Sequence, residues 1–204
     1  MEKITIIGYK YNELTKEVQQ NLKEKIVHSW VYMDDFHWKI QDMIENNFPN
    51  SDIKIQWSLN SCQGDGVNLY GVLDHRDAIE FIRKMQPDEL EEDFIKIIKF
   101  CDIDFKLPEN PRYSYCYVSN VDVAIDMISE YEIITGEEPP EEWQAATKRF
   151  ESVLIECIEN LCEKIESYGY DYFDTDYIND EYAANFYDNT IFTSSGIDID
   201  KILN

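Results

Sequence analysis

Apolar and polar positions recur along the chain with periods that predict its elements. Residues 3–9 (KITIIGY) are rich in β-branched side chains and predict a short strand. Asn12 or Thr15 then caps a helix, since both side chains accept hydrogen bonds from free N–H groups. Val18, Leu22 and Ile26 recur every four residues and give that helix one apolar face. A second helix is expected to start at Asp34 or Asp35. Its stripe is Phe36, Ile40, Met43 and Ile44, and Pro49 lies beyond its end. Ile53, Ile55, Trp57 and Leu59 alternate with polar residues, as do Val67, Leu69, Gly71 and Leu73. Cys62-Gln63-Gly64-Asp65-Gly66 joins the two runs. The whole reads as a β-hairpin over about 53–73, with glycine supplying the positive φ angles of a tight turn.

Helical stretches follow at 75–85 and 88–101, separated by Pro87, with Asp88 as a cap. Pro108 and Pro111 bracket a loop. Tyr113, Tyr115 and Tyr117 alternate as in a strand that passes into a helix near 121–134, ended by Gly136, Pro139 and Pro140. Pro140 opens the longest helix, 141–167, with Glu141 and Glu142 in its first turn and Gly169 at its end. The pattern predicts an α+β fold: a small antiparallel sheet, including the hairpin, covered by helices. It divides into an α+β core over 1–135 and an acidic helix with an aromatic-rich tail over 136–204, packed on that core as one compact unit.

Charge changes this picture most. The 204 residues hold 42 Asp plus Glu against 18 Lys plus Arg, a net charge of −24. Such a chain lacks the clustered bases that grip phosphate backbones, and an anionic membrane surface repels it. Apolar residues make up 44% and aromatic ones 14%, so the chain has the material for a core that acidic disordered tails lack. The charge is unequal. Residues 1–106 carry 13 bases and 20 acids, net −7, and residues 107–204 carry 5 and 22, net −17. No stretch reaches the roughly 20 apolar residues of a membrane span. The apolar run at the N-terminus is too short for a signal peptide, which predicts a cytoplasmic protein. Five scattered cysteines (Cys62, Cys101, Cys116, Cys157, Cys162) fit reduced, buried thiols better than a disulfide framework.

Specific chemistry is sparse. His28, His37 and His75 have no partner at a metal-ligand spacing. Cys157 and Cys162 are five residues apart, about 500° of helical rotation, so their side chains diverge into the core. Asp171, Asp174, Asp176, Asp180 and Glu181 lack the glycine and the spacing of a calcium loop. There is no phosphate loop, dinucleotide fingerprint or nucleophile elbow. The chain thus reads as non-enzymatic, with no catalytic residue, metal or cofactor.

Three segments carry a resemblance. Tyr11-Asn12-Glu13-Leu14-Thr15-Lys16-Glu17 resembles the Y-x-F-D-E-L-s-e-e-A-K opening of a family of small acidic proteins common in bacteriophages and prophages. Gln63-Gly64-Asp65-Gly66 is similar to their Q-G-D-G signature. Ala184-Asn185-Phe186-Tyr187 with Ile191-Phe192-Thr193-Ser194-Ser195-Gly196 resembles their ending. Asn12 stands where Asp is usual and Val18 where Ala would follow, and 75–160 has no counterpart. The resemblance implies a mobile-element origin without an established activity. In charge alone, the chain is similar to anti-CRISPR and anti-restriction proteins that imitate DNA.

Mimicry has a geometric requirement that the chain meets on paper. Carboxylates three or four residues apart on a helix lie about 5–6 Å apart. Glu156, Glu159, Glu163 and Glu166 make a row of four over about 15 Å. Asp171, Asp174, Asp176, Asp180 and Glu181 extend the acidic stretch. Among them Tyr172 and Tyr177 offer large contact area at low entropy cost. The expected partner is the basic groove of a host nucleic-acid-binding defence protein such as a CRISPR effector, with no direct contact to nucleic acid or membrane and a homodimer as an option. Two alternatives stand beside it. One is an assembly or antitoxin-like protein whose acidic face only solubilises it. The other is a metal-dependent hydrolase built near Gly64-Asp65-Gly66.

Overall fold

Thr15 opens the first helix, α1 (Lys16–Val27), as a true cap: its Oγ1 accepts from the Val18 N–H at 3.4 Å. The computed structural model describes residues 6–59, 66–86, 95, 105–107, 131–138 and 140–203. They form two compact units, Met1–His37 with Tyr170–Asn204, and Trp38–Gly169. This division differs from an expected boundary at 135/136. It joins the two ends of the chain, a pairing no local pattern can signal.

In the terminal unit a 3-10 turn over Tyr11–Glu13 precedes α1. Its Glu13 carboxylate accepts from the Lys10 N–H at 2.7 Å. Leu22 and Ile26 are buried as their spacing predicts, while Val18 is half-buried. Helix α2 (Trp30–Asn47) starts earlier than Asp34 or Asp35. Ser29 is the reason: its Oγ accepts from the Tyr32 N–H at 3.3 Å and donates to the Ile26 carbonyl at 2.7 Å. Residues 6–8 form no strand. Only Tyr9 pairs, exchanging both backbone hydrogen bonds with Phe192, which also bridges to Asp198. Gly196 (φ +76) turns the chain between the two bridged residues. A Cβ there would press on Val18.

The core of this unit is aromatic. Tyr32 stacks on Tyr172 with centroids 4.6 Å apart, and Phe36 lies 5.2 Å from Tyr172. Tyr187 stacks on Tyr11 at 6.0 Å and meets Phe192 edge-on at 5.2 Å. The opening and closing segments of the chain therefore pack against each other at Tyr11 and Tyr187. Two short helices near the C-terminal end, α5 (Asp180–Phe186) and α6 (Asp200–Leu203), complete the unit.

The second unit holds the sheet. Strands β1 (Asp52–Ser58) and β2 (Gly66–Leu73) pair antiparallel with Ile55 opposite Leu69, so the expected hairpin is present. Strand β3 (Phe105–Leu107) adds to the other edge of β2, also antiparallel, giving the order β1-β2-β3. The fold is α+β, with a small three-stranded antiparallel sheet and helices that include one long one. Ile53, Ile55, Val67, Leu69 and Leu73 are buried, as are Ala78, Ile79, Phe81 and Ile82 of α3 (His75–Met85). On α2, Phe36, Ile40 and Ile44 of the expected stripe are buried, while Met43 is 37% exposed.

A polar tie joins the α2–β1 turn to the start of α3. Asp77, only 3% exposed, accepts from the Asn50 N–H (2.8 Å), the Asn50 amide (2.7 Å) and the Ser51 hydroxyl (2.6 Å). Ser51 Oγ in turn accepts from the Asp74 N–H at 2.9 Å, and Asp74 caps α3 through the Arg76 N–H. A buried carboxylate is tolerated here because three donors replace its water.

The long helix α4 (Glu141–Tyr172) begins at Pro140, whose carbonyl accepts from the Trp143 N–H at 2.9 Å. Gly169 does not end it. The helix runs three residues further to bring Tyr172 into the aromatic core of the terminal unit. Residues 131–135 are helical and Gly136 follows at φ +70, as expected of a helix end. Residues 60–65 of the hairpin turn, Pro87, Asp88, the strand at Tyr113–Tyr117 and most of the 121–134 helix lie outside the described residues. Of 88–101 only residue 95 is described, and it is helical.

One position tests the sheet. Gly71 sits at φ +126 in the middle strand, and a Cβ there would overlap the Asp52 carbonyl oxygen. Gly71→Ala is expected to lower unfolding free energy by about 2 kcal/mol or more, read from the urea midpoint. An unchanged midpoint would show that β1 and β2 are not in this register.

Candidate acidic interface

Helix α4 is two-faced. Leu154, Ile158, Leu161 and Ile165 are buried, at 7% exposure or less. Glu156, Glu159 and Glu163 are exposed and Glu166 is half-buried. Their spacing of three, four and three puts the four carboxyl groups on one stripe away from the core. Among the described residues none of the four takes part in a hydrogen bond or ion pair. Cys157 and Cys162 point into the core, at 0% and 2% exposure. Burial, reinforced by the charge of Glu156, pushes the Cys157 thiol up to about 11, so it stays protonated.

The tail residues belong to the terminal unit and divide by role. Asp171, Asp176 and Glu181 are exposed. Asp174 caps a 3-10 turn over Thr175–Tyr177, accepting from the Asp176 N–H at 2.9 Å. Asp180 is gripped by two lysines, Lys16 and Lys23, each 2.9 Å away through a different carboxylate oxygen. The Lys16 hydrogen bond, then that of Lys23, holds the Asp180 carboxyl down at about 2. Tyr177 is 64% exposed.

Tyr172 corrects the expected contact set. It is 3% exposed and cannot reach a partner. Its hydroxyl donates to Asp35 Oδ2 at 2.5 Å, and its carbonyl accepts from the Tyr32 hydroxyl at 2.9 Å. Desolvation, then the Asp35 hydrogen bond, raises its pKa well above the ordinary tyrosine range. Alternation of aromatics with acids in 170–182 does not separate inward from outward rings. The helix that continues through Gly169 does.

Two grooves are lined by described residues. One, of about 700 Å3, lies in the terminal unit between the end of α1 and residues 173–175. It mixes Glu24 and Asp174 with Lys25, so it is not uniformly acidic. The other, of about 480 Å3, lies in the second unit and is lined by Arg76, Arg83 and Lys84. Those bases are engaged: Arg76 with Asp74 at 2.6 Å, Arg83 with Glu80, and Lys84 with the Asn47 side-chain oxygen at 3.0 Å. Among the described residues no group of three His, Cys, Asp or Glu is placed to hold a metal ion, and no helix is long and apolar enough to cross a membrane. Gly64 and Asp65, the core of the hydrolase alternative, lie outside the described residues. Comparison with protein-family models, curated proteins and solved structures finds no match for the chain.

Two outcomes are expected from these geometries. Asp180 has a folded pKa below the unfolded carboxylate value of about 3.9. Its contribution is therefore present at neutral pH and lost as pH falls from about 4 to about 2. Asp180→Asn is expected to lower the urea midpoint at pH 6, with the gap closing toward pH 2. A gap that persists at pH 2 would mean that the two lysines do not stabilise the charge. Second, the Glu row contains three like-charge neighbours, each destabilising by about 0.2–0.5 kcal/mol. Replacing Glu156, Glu159, Glu163 and Glu166 with Gln is expected to raise Tm at low salt, by less at high salt. A fall in Tm would show that the fold needs the row.

Proposed function

We propose that this chain is a phage-encoded, non-enzymatic inhibitor of a host defence protein that binds nucleic acid, of the anti-CRISPR or anti-restriction kind. The acidic face of α4 occupies a Lys- and Arg-lined groove in place of DNA. The observation that carries the reading is the exposed row of Glu156, Glu159 and Glu163, continued by Glu166, with no ion pair among the described residues. Duplex DNA presents about one charge per 1.7 Å of axis and is held largely by neutralisation of those charges. A fixed line of carboxylates on a helix offers a sparser attraction of the same sign, and it has no phosphodiester bond to cleave. The tail acids Asp171, Asp176 and Glu181 add to the negative field that steers a basic partner. The phage-like opening and closing segments support a mobile-element origin.

A second reading has its own observation. Trp30 is 81% and Val31 66% exposed at the start of α2, an apolar surface of the kind that mediates protein contacts. On that reading the chain is an assembly or antitoxin-like protein, and its acids only keep it dissolved.

Capture of CRISPR effectors and restriction complexes on the immobilised protein, over a salt series, tests the proposal. Binding at low salt that weakens steeply as salt rises, and competes with DNA, is the expected result. Glu156, Glu159, Glu163 and Glu166 changed together to Gln is expected to abolish inhibition while the chain stays folded. Retained inhibition, or binding indifferent to salt, would favour the apolar-contact reading.

A further inference from the structure

The strand-prone opening of the chain finds almost no partner within its own fold. Ile6, Ile7 and Gly8 run directly into Tyr9, which exchanges backbone hydrogen bonds of 2.8 and 2.9 Å with Phe192. Phe192 is also bridged to Asp198, so Tyr9 stands at the edge of a miniature antiparallel sheet. In an antiparallel hydrogen-bonded pair, both polar groups of a residue face its partner, and those of the residues on either side face away. Gly8 and Lys10 therefore turn their backbone toward the open edge. The Lys10 N–H is taken there by the Glu13 carboxylate at 2.7 Å. Backbone groups of Ile6, Ile7 and Gly8 meet no hydrogen-bond partner among the described residues. The side chains along this edge are uncovered as well. Ile7 is 67% exposed, and Ile191, which lies so close over Gly8 that a Cβ there would overlap it, is 40% exposed. Gly8 keeps a φ outside the left-handed region, as a strand requires. Proteins commonly blunt such an edge with Pro or Lys, and Ile6–Gly8 holds neither.

An open strand edge admits one kind of occupant, an extended strand that itself lacks a partner, and the opening segment is such a strand. We propose that two copies of the chain pair antiparallel through this edge, about a two-fold axis at Ile7. Ile6 of one copy then stands opposite Gly8 of the other, each such pair exchanging both backbone hydrogen bonds. The two Ile7 residues meet across the axis at a non-hydrogen-bonded position, about 4.5 Å between Cα atoms, where side chains approach closely. Gly8 leaves room for the Ile6 side chain opposite it. A contact of this symmetry closes on itself and does not propagate along the edge. Charge agrees with the placement. Residues 3–12 contain Lys3 and Lys10 and no acid, so the meeting segments do not add to the repulsion between two chains of net −24. The inference is independent of the acidic row on α4.

Sedimentation velocity of the full chain at about 10 to 500 μM, in about 50 and 500 mM salt, tests the pairing. A monomer–dimer equilibrium that tightens as salt rises is the expected result, because salt screens the repulsion between two chains of like charge. Capture of a basic partner weakens over the same series, so the two proposals fail separately. Ile7→Glu sets like charges on the axis at an exposed position and is expected to abolish the dimer while the chain stays folded. Ile7→Val keeps a β-branched apolar side chain and is expected to keep the dimer. Ile6→Pro removes a backbone donor from each copy and leaves Ile7 in place, so loss of the dimer there marks strand pairing and not apolar contact alone. A monomer under all conditions overturns the proposal, as does a dimer that survives Ile7→Glu or Ile6→Pro. A chain that stays monomeric while Ile7→Glu weakens capture of a nucleic-acid-binding protein also overturns it, and gives the edge to that protein. If Ile6→Pro fails to fold by circular dichroism, peptides of residues 3–10 are read instead. The plain peptide is expected to dissociate the dimer and the peptide N-methylated at Ile6 to leave it intact; equal action of the two overturns the pairing.

Discussion

Forty-two carboxylates share eighteen cations in this chain, and that imbalance conditions everything else. Most acids can have no base, so the fold cannot rest on ion pairs. Several of the described pairs instead sit where they secure a junction. Lys16 and Lys23 converge on Asp180 and fasten the first helix to the start of α5. Arg76 closes on Asp74 at the cap of α3 and holds that carboxyl at about 2. Elsewhere the self-repulsion of a −24 chain is opposed by buried apolar area, which is indifferent to charge.

The aromatic content follows from the same constraint. A core of rings buries much area per residue, and tyrosine adds a hydroxyl that reaches a backbone acceptor. Tyr32 donates to the Tyr172 carbonyl at 2.9 Å and Tyr187 to the Leu22 carbonyl at 3.0 Å. Each such bond links segments more than a hundred residues apart in sequence. The terminal unit is therefore held in part by rings with polar tips. In the other unit the sheet and α3 supply a core of aliphatic and phenylalanine side chains, and Asp77 provides its one densely bonded buried charge among the described residues.

Where the acids are not needed for the fold, they are available for recognition. The exposed stripe of α4 and the unpaired Asp176 and Glu181 are of this kind, whereas Asp174, Asp180 and Asp77 are structural. Composition counts these two groups together. Their separation turns a statement about net charge into one about which carboxylates can meet a partner, and it removes Tyr172 from that set while leaving Tyr177 in it.

Local patterning determined a good part of this protein. Alternation at Ile53–Leu73 specified the hairpin, a four-residue recurrence specified α1, and Pro140 with its following acids specified the start of α4. The Glu row was legible because helical periodicity alone decides which residues share a face. Each of these signals acts within one or two turns of the chain. The extension of α4 through Gly169, the start of α2 at Ser29 and the absence of a strand at residues 6–8 needed more. Gly169 carries a helix-ending signal that packing of Tyr172 on Tyr32 overrides, and Ser29 competes with two acids that are equally good caps on paper. Within the described part of KITIIGY, residues 6–9, the strand propensity finds only Phe192 to pair with, at Tyr9. Which acids are gripped by lysine, and which tyrosines face outward, was decided by tertiary structure alone. Residues 16 and 180 have no relation in sequence, and only the folded path of the chain brings their opposite charges within 2.9 Å.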